Sequence, residues 1–320
     1  MAPTTLTSVL VVGATGNVGY AVCLELLKLT HRFTRLAAFN NIARPSAEKD
    51  AIISALSASG MEIVTSDTYE NPNLYKDFDA VIMALGNFGN YQQPLIIDAA
   101  IEGGVRHFYP SEFGADITVG ENATQRYYRD KVLARNHLEK RAKDTEGLGW
   151  SYVTIGRFTE WGIRPYFGVN NKERTADIYG NEDGRQSLIS VEDASALTAR
   201  SLLMPFDAAD PENRHRTFRF RGESPSWKEI FAILKRVTGY EYKVTYHDVS
   251  EAWALQKEAK EKNDEKLEMN SSHRIVQGTE GTLLPEPYDN DKFSDVNVKG
   301  VEEVLRATFA DEKQKAFLGL

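Results

Sequence analysis

The stretch that decides the fold is SVLVVGATGNVG, Ser8 to Gly19. Its first five residues form an apolar, valine-rich run, the pattern of a strand buried on both faces. Tyr20 to Leu29 then carries apolar residues at helical spacing. Between the two, Gly13-Ala14-Thr15-Gly16-Asn17-Val18-Gly19 spaces its glycines as G-x-x-G-x-x-G. Glycines at such places permit the tight turn, let the backbone approach a pyrophosphate and allow close helix packing, while the helix N-terminus offers N–H donors and a positive dipole. Strand, turn and helix together predict a dinucleotide site built from Gly13, Thr15, Gly16, Asn17, Val18 and Gly19.

Outward from this turn, strand and helix alternate. Arg35 to Phe39, Glu62 to Thr65, Ala80 to Leu85 and Arg106 to Tyr109 read as further strands, with helices at Ala47 to Ser59 and Gln93 to Glu102. Apolar strands in strict alternation with helices imply an α/β fold, a Rossmann-type doubly wound parallel sheet covered on both faces. After about residue 157 the rhythm breaks. Arg157 to Asn171 is aromatic and glycine-rich, Ser187 to Val191 is a short strand, and a helix runs from Val191 to about Leu203. Trp227 to Val237 is an amphipathic helix behind Ser226 as its cap, and Gln256 to Lys266, dense in Lys and Glu, reads as a solvated helical face. The expected division is a nucleotide-binding domain over 1–157 and a smaller C-terminal α/β part over 158–320 that mainly binds substrate. Segment 187–203 is expected to return to the first sheet.

Composition narrows the function. The 320 residues are 42% hydrophobic and 26% charged, enough for a substantial core without staples. The net charge of -8 comes from scattered residues, 38 basic against 46 acidic, which argues against nucleic acid as a partner. No apolar run approaches the roughly 18 residues of a spanning helix, so no membrane partner is expected. The N-terminal residues lack the basic region of a secretory signal. Cys23 is the single cysteine and the six histidines show no ligand-pair spacing, so the expectation is a cytoplasmic, metal-independent protein. Asn122-Ala-Thr and Asn270-Ser-Ser match the glycosylation pattern and are read as chance matches.

Two further groups of residues bear on chemistry. After the second strand, where an acidic residue would hold an NAD ribose, the chain reads Ala38-Phe-Asn-Asn-Ile-Ala-Arg-Pro45, with Lys49 beyond. Arg44 and Lys49 suit a 2′-phosphate instead, which favours NADP(H) over NAD(H). Tyr127 and Lys131 fall in Thr124 to Lys143, read as one helix, so their i, i+4 spacing places them on one face. An ammonium there favours the phenolate of a tyrosine acting as general acid or base, and the lysine also suits the nicotinamide ribose. Ser111 follows the Arg106 to Tyr109 strand, at the sheet edge where ligands sit.

VVGATGNVG, AAIEGGVRHFYPSEFGAD (Ala99 to Asp116), KVLARNHLE (Lys131 to Glu139) and WSYVTIGRF (Trp150 to Phe158), in that order and spacing, resemble the NmrA-like and isoflavone-reductase-like branch of the atypical short-chain dehydrogenases. The likeness continues through LISVEDASALTA (Leu188 to Ala199) and FSDVNVKGVEEVL (Phe293 to Leu305). It implies NADPH as hydride donor, Lys131 as the catalytic lysine, Arg44 and Lys49 at the 2′-phosphate, and Phe158 beside the nicotinamide. Two departures stand out. Plant reductases of this branch usually lack a tyrosine at the Tyr127 position, and their asparagine just before the Phe158 segment is replaced here by Gly156-Arg157.

The expected activity is therefore NADPH-dependent reduction of a C=O or activated C=C in a small aromatic or conjugated molecule, lined by Phe158, Trp161, Tyr166 and Phe167. Lys131 with Tyr127 handles the proton, and Ser111 orients the substrate oxygen. A second copy of the chain, in a homodimer, is the protein partner this reading allows. The alternative is a dinucleotide-sensing regulator of the NmrA type that catalyses nothing, and an isomerase or cyclase on the same scaffold is a third possibility. His107, within a strand, is read as structural.

Overall fold

A computed structural model describes residues 4–320. The chain divides into two compact units and passes between them repeatedly rather than once. The first contains the chain through Glu112, Asp130–Val153 and Ser195–Phe218, and the second Phe113–Arg129, Thr154–Ala194 and Arg219–Leu320.

In the first unit the elements in chain order are β1 (Ser8–Val12), α1 (Asn17–Leu27), β2 (Arg35–Asn41), α2 (Ala47–Ala58), β3 (Glu62–Ser66), β4 (Ala80–Met83), α3 (Gln93–Glu102), β5 (His107–Tyr109), α4 (Arg129–Ala142) and β6 (Gly149–Thr154). They build a seven-stranded sheet in the order His215–Arg219, β6, β5, β4, β1, β2, β3. Successive pairs from β6 to β3 are parallel, with Val9 of β1 opposite both Leu36 and Ala80. All five residues of β1 are buried, because helices cover both faces of a doubly wound sheet. Leu10, Val12, Phe39, Val81, Met83, Ile96, Ile97 and Phe108 share one core cluster. At the N-terminal ends of these central strands Asp79 Oδ2 accepts from the Thr7 and Ser8 N–H groups, both at 2.8 Å, which locks the starts of β1 and β4 together. The strand order reverses direction between β1 and β4, so their C-terminal ends form the crevice where ligands of such sheets bind.

The second unit has a three-stranded sheet in the order Lys243–His247, Thr175–Tyr179, Val169–Asn170, parallel then antiparallel, and a parallel ladder of Arg157–Phe158 with Leu188–Ile189. Its helix Trp227–Thr238 opens with a capping box between Ser226 and Glu229 and stops at Gly239, whose φ is 78°. The Lys- and Glu-rich segment is not one helical face. Val249–Lys262 ends at Asn263, which adopts a left-handed φ of 52°, and Glu265–Gly278 starts afresh behind an Asp264 cap. Gln256 and Ala259 are buried while Lys257 and Lys260 to Lys266 face solvent.

One expected helix is shorter than its sequence suggests. Thr124 to Lys143 is not continuous: α4 begins at Arg129, and Arg126–Tyr128 is a separate 3-10 turn behind the extended Gln125. The Tyr127 N–H donates to Ser272 Oγ at 3.0 Å, and Gln125 Oε1 accepts from Gln256 Nε2 at 2.8 Å, contacts that hold this turn in its own shape. Asn122 of the glycosylation pattern is 2% exposed, and its amide donates to the Asp116 and Gly281 carbonyls. Among the described residues no helix is long and apolar enough to cross a membrane.

Candidate active site

The glycine turn lies at the C-terminal end of β1 and shapes a groove of ≈ 560 Å³. Gly13 has φ +89°, and a Cβ there would sit 2.5 Å from the Ala84 carbonyl oxygen, so no other residue fits without displacing the end of β4. A Cβ on Gly19 would come within 2.1 Å of Gly13 O, which explains why α1 packs so closely on the turn. Gly16 is different: the protein leaves room for a Cβ at 3.4 Å, and Gly16 stands as the N-cap of α1 with no side-chain oxygen closing it. The first N–H groups of α1 are thus left for an anion.

Arg44 and Lys49 both line this groove, together with Thr15, Gly16, Asn40 and Asn41. Lys49 Nζ donates to the Arg44 carbonyl at 2.9 Å, and Ser46 Oγ caps α2 by accepting from the Lys49 N–H, so the two cations are held on one short turn. Sequence reasoning missed the far wall. Asp67, Thr68 and Tyr69, just beyond β3, and the loop Leu85 to Gly89 line the same groove. Phe88, 91% exposed, stands on its rim. The signal was available in principle, since these residues follow strand ends of a parallel sheet.

Lys131, on the first turn of α4, is 6% exposed. Its ammonium donates to the Glu112 carbonyl oxygen, three residues beyond β5. Burial pushes its pKa down from 10.5 to about 8; Glu112 opposes this and Arg135 adds to it. The Glu112 carboxylate is gripped by Arg135 through a fork of 2.8 and 3.0 Å, and the Arg135 guanidinium lies 4.1 Å from the Tyr152 ring centroid. Burial also raises the Tyr152 phenol well above its usual range. Arg135 follows Lys131 at i+4, a spacing that could have revealed the pair.

Ser111 joins the lysine to the groove. Its hydroxyl donates to the Leu85 carbonyl at 2.7 Å and its N–H to Gln93 Oε1 at 2.8 Å, so the single hydroxyl proton is already directed at the protein. Leu85 lines the groove and Glu112, the next residue after Ser111, holds Lys131.

Tyr127, Phe158, Trp161, Tyr166 and Phe167 belong to the second unit, and His107 to the first. Tyr127 packs against Tyr128 and His273, with ring centroids 5.0 and 5.4 Å apart, and is not on the helix that carries Lys131. Phe158 is buried and meets Trp161 edge-on at 4.6 Å. Tyr166 and Phe167 both flank His273, at 5.1 and 4.4 Å. His107 is buried, its Nε2 2.9 Å from Ser151 Oγ, and burial holds its imidazole pKa well below the usual value.

A glycine turn after the first strand, set at the switch point of a parallel sheet, defines a protein of Rossmann type. More narrowly, the chain belongs to the NmrA-like family, which it matches over residues 5–277, and the family reading of the sequence is borne out. It is 30% identical over 250 residues to oxidoreductase aprR of Aspergillus flavus, covering 76% of this chain and 78% of that one. Phenylcoumaran benzylic ether reductase PT1 of Pinus taeda is 28% identical over 237 residues, 71% of this chain and 74% of the relative. Among solved structures, the binary complex of leucoanthocyanidin reductase with NADPH from Vitis vinifera shares the fold with a TM-score of 0.72, at 20% identity over 93% of this chain and 97% of that one.

Proposed function

We propose that this protein is an NADPH-dependent reductase acting on a C=O or activated C=C of a small aromatic or conjugated molecule, with Lys131 as the proton source. The observation that carries the proposal is the buried Lys131 ammonium, lowered to about 8 and tied through Glu112, Ser111 and Leu85 to the wall of the glycine groove. The names of the relatives point the same way: an oxidoreductase and a benzylic ether reductase, and a related fold bound to NADPH.

The groove fits the cofactor. Gly13 and Gly19 let the turn close against Ala84 and α1, Gly16 keeps the groove side of the turn free of a side chain, the α1 N-terminus suits the pyrophosphate, and Arg44 with Lys49 suits the 2′-phosphate. When bound, NADPH supplies the hydride. Lys131 holds a proton at Nζ and passes it to the substrate atom that gains negative charge as the hydride arrives. An ordinary lysine near 10.5 is a poor acid at neutral pH; one near 8 is still protonated there and releases its proton far more readily. Ser111 is assigned a positioning part, because its proton is held by Leu85. Tyr127 is assigned no proton-transfer step.

Loss of NADPH absorbance against a panel of enones and aryl ketones tests the proposal. Turnover with at least one of them, lost in Lys131→Met, is the expected result. Tight NADP+ binding without any turnover would instead identify a dinucleotide-sensing regulator.

A further inference from the structure

Taking the reading of this chain as a reductase of aromatic molecules as its basis, we infer that the second unit carries a recognition site for an acidic group on the substrate, an aryl carboxylate, centred on Arg157. Arg157 is 6% exposed, and its Nη1 is buried with no hydrogen-bond partner among the described residues. Its other contacts are weak. Nη2 lies 3.5 Å from His273 Nε2, the limit of a hydrogen bond, and the guanidinium carbon lies 4.4 Å from the centroid of the Phe167 ring. No ion pair to Arg157 exists among the described residues, whereas Arg135 is paired with Glu112 and Arg219 with Asp116.

The groups around Arg157 cannot neutralise it. His273 is held neutral, its pKa pushed well below the usual value by burial and by Arg157 and Arg274. The phenols of Tyr128, Tyr127 and Tyr166 also act on the Arg157 charge, and a neutral phenol does not balance it. Burial lowers the guanidinium itself only to about 10, so it stays charged at neutral pH. Holding an uncompensated charge inside the fold is costly, and an arriving carboxylate would recover much of that cost through a forked, charge-assisted hydrogen bond.

The surroundings suit the rest of an aryl acid. Tyr127, Tyr166 and Phe167 gather their rings around His273 within 5.4 Å, and Tyr166 is 48% exposed, which leaves that side of the cluster open to solvent. Flat rings beside a fixed cation match an aromatic ring bearing a negative group.

The probes are 4-acetylbenzoate and its uncharged methyl ester, titrated calorimetrically into the NADP+-loaded protein. The wild type is expected to bind the acid about 10- to 100-fold more tightly than the ester, the range of a hydrogen bond to a charged group. Arg157→Gln should erase that preference while leaving ester and NADP+ affinity unchanged, and Arg157→Lys should restore part of it. Equal affinity for acid and ester in the wild type, no binding of the acid, or a preference that survives in Arg157→Gln overturns the inference. The wild-type comparison can overturn it even if Arg157→Gln fails to fold, and Arg157→Lys then carries the assignment to this residue. An Arg157-dependent preference without NADPH consumption would remove the reductase reading and leave the anion site standing; consumption with the ester and no preference for the acid would do the reverse.

Discussion

Lys131 and Arg157 are both buried cations, one in each unit, and burial lowers the pKa of both, with different consequences. Lys131 gives its ammonium to a backbone carbonyl and falls to about 8, into the range where a proton can be exchanged at neutral pH. Arg157, equally hidden, falls from 12.5 to about 10 and keeps its charge. The contrast follows from the side chains. A guanidinium spreads its charge and starts from 12.5, so the same desolvation that brings an ammonium from 10.5 close to neutral pH leaves it charged. The same loss of water therefore makes one residue an acid and the other a fixed electrostatic landmark.

The sharpest way to break the comparison is Lys131→Met, which should lower kcat by about 10²- to 10⁴-fold, the contribution of a positioned acid. The same change should stabilise the protein. The folded-state pKa of about 8 lies below the unfolded 10.5, so the unfolded state binds more protons between those values; native stability rises with pH across that window, and below it the penalty is fully present. Removing the ammonium should therefore raise the unfolding free energy at pH 7, by as much as about 3 kcal/mol in urea titration, and flatten the stability profile between pH 8 and 10.5.

Next in size is Arg135→Met. It strands the buried Glu112 carboxylate, for a loss of about 3–5 kcal/mol in denaturant titration. It also removes a like charge from beside Lys131, so the alkaline limb of the turnover profile should move to higher pH. Gly13→Ala follows: a residue with a side chain at φ +89° costs about 1–2 kcal/mol in backbone strain alone, and the approach to Ala84 O should weaken NADP+ binding as well. Arg44→Ala should erode the preference for NADPH over NADH by about tenfold, read from the ratio of their dissociation constants. Smallest is Tyr127→Phe, expected to change kcat by less than about tenfold, well short of a lost proton transfer. A loss as large as that of Lys131→Met would restore the tyrosine–lysine relay.

Those expectations track what could be seen in the sequence. The glycine turn was legible because most of what shapes it acts within a dozen residues, a strand, a positive φ at Gly13 and a helix start at Asn17, although the Ala84 carbonyl that closes on Gly13 is distant in sequence. Arg44 and Lys49 were legible for the same reason, being joined by one turn at the start of α2. Tyr127 was misplaced because spacing alone does not say where a helix begins. Its turn is held by Ser272, 145 residues away, and no local pattern records that. Arg157 and His273, 116 residues apart, met only on folding. The Glu112–Arg135 pair lay between these extremes, with one member at i+4 from Lys131 and the other inside the Pro-Ser-Glu-Phe-Gly run.

Cys23 sits on α1 directly behind the nucleotide turn, fully buried, and burial pushes its thiol up to about 12. As the chain's single sulfhydryl, it is chemically silent towards thiol-seeking dyes while the first helix stays docked. The rate at which such a dye reacts becomes a direct clock for the opening of that helix, and slowing of the clock by added dinucleotide would report occupancy of the turn without any need for turnover.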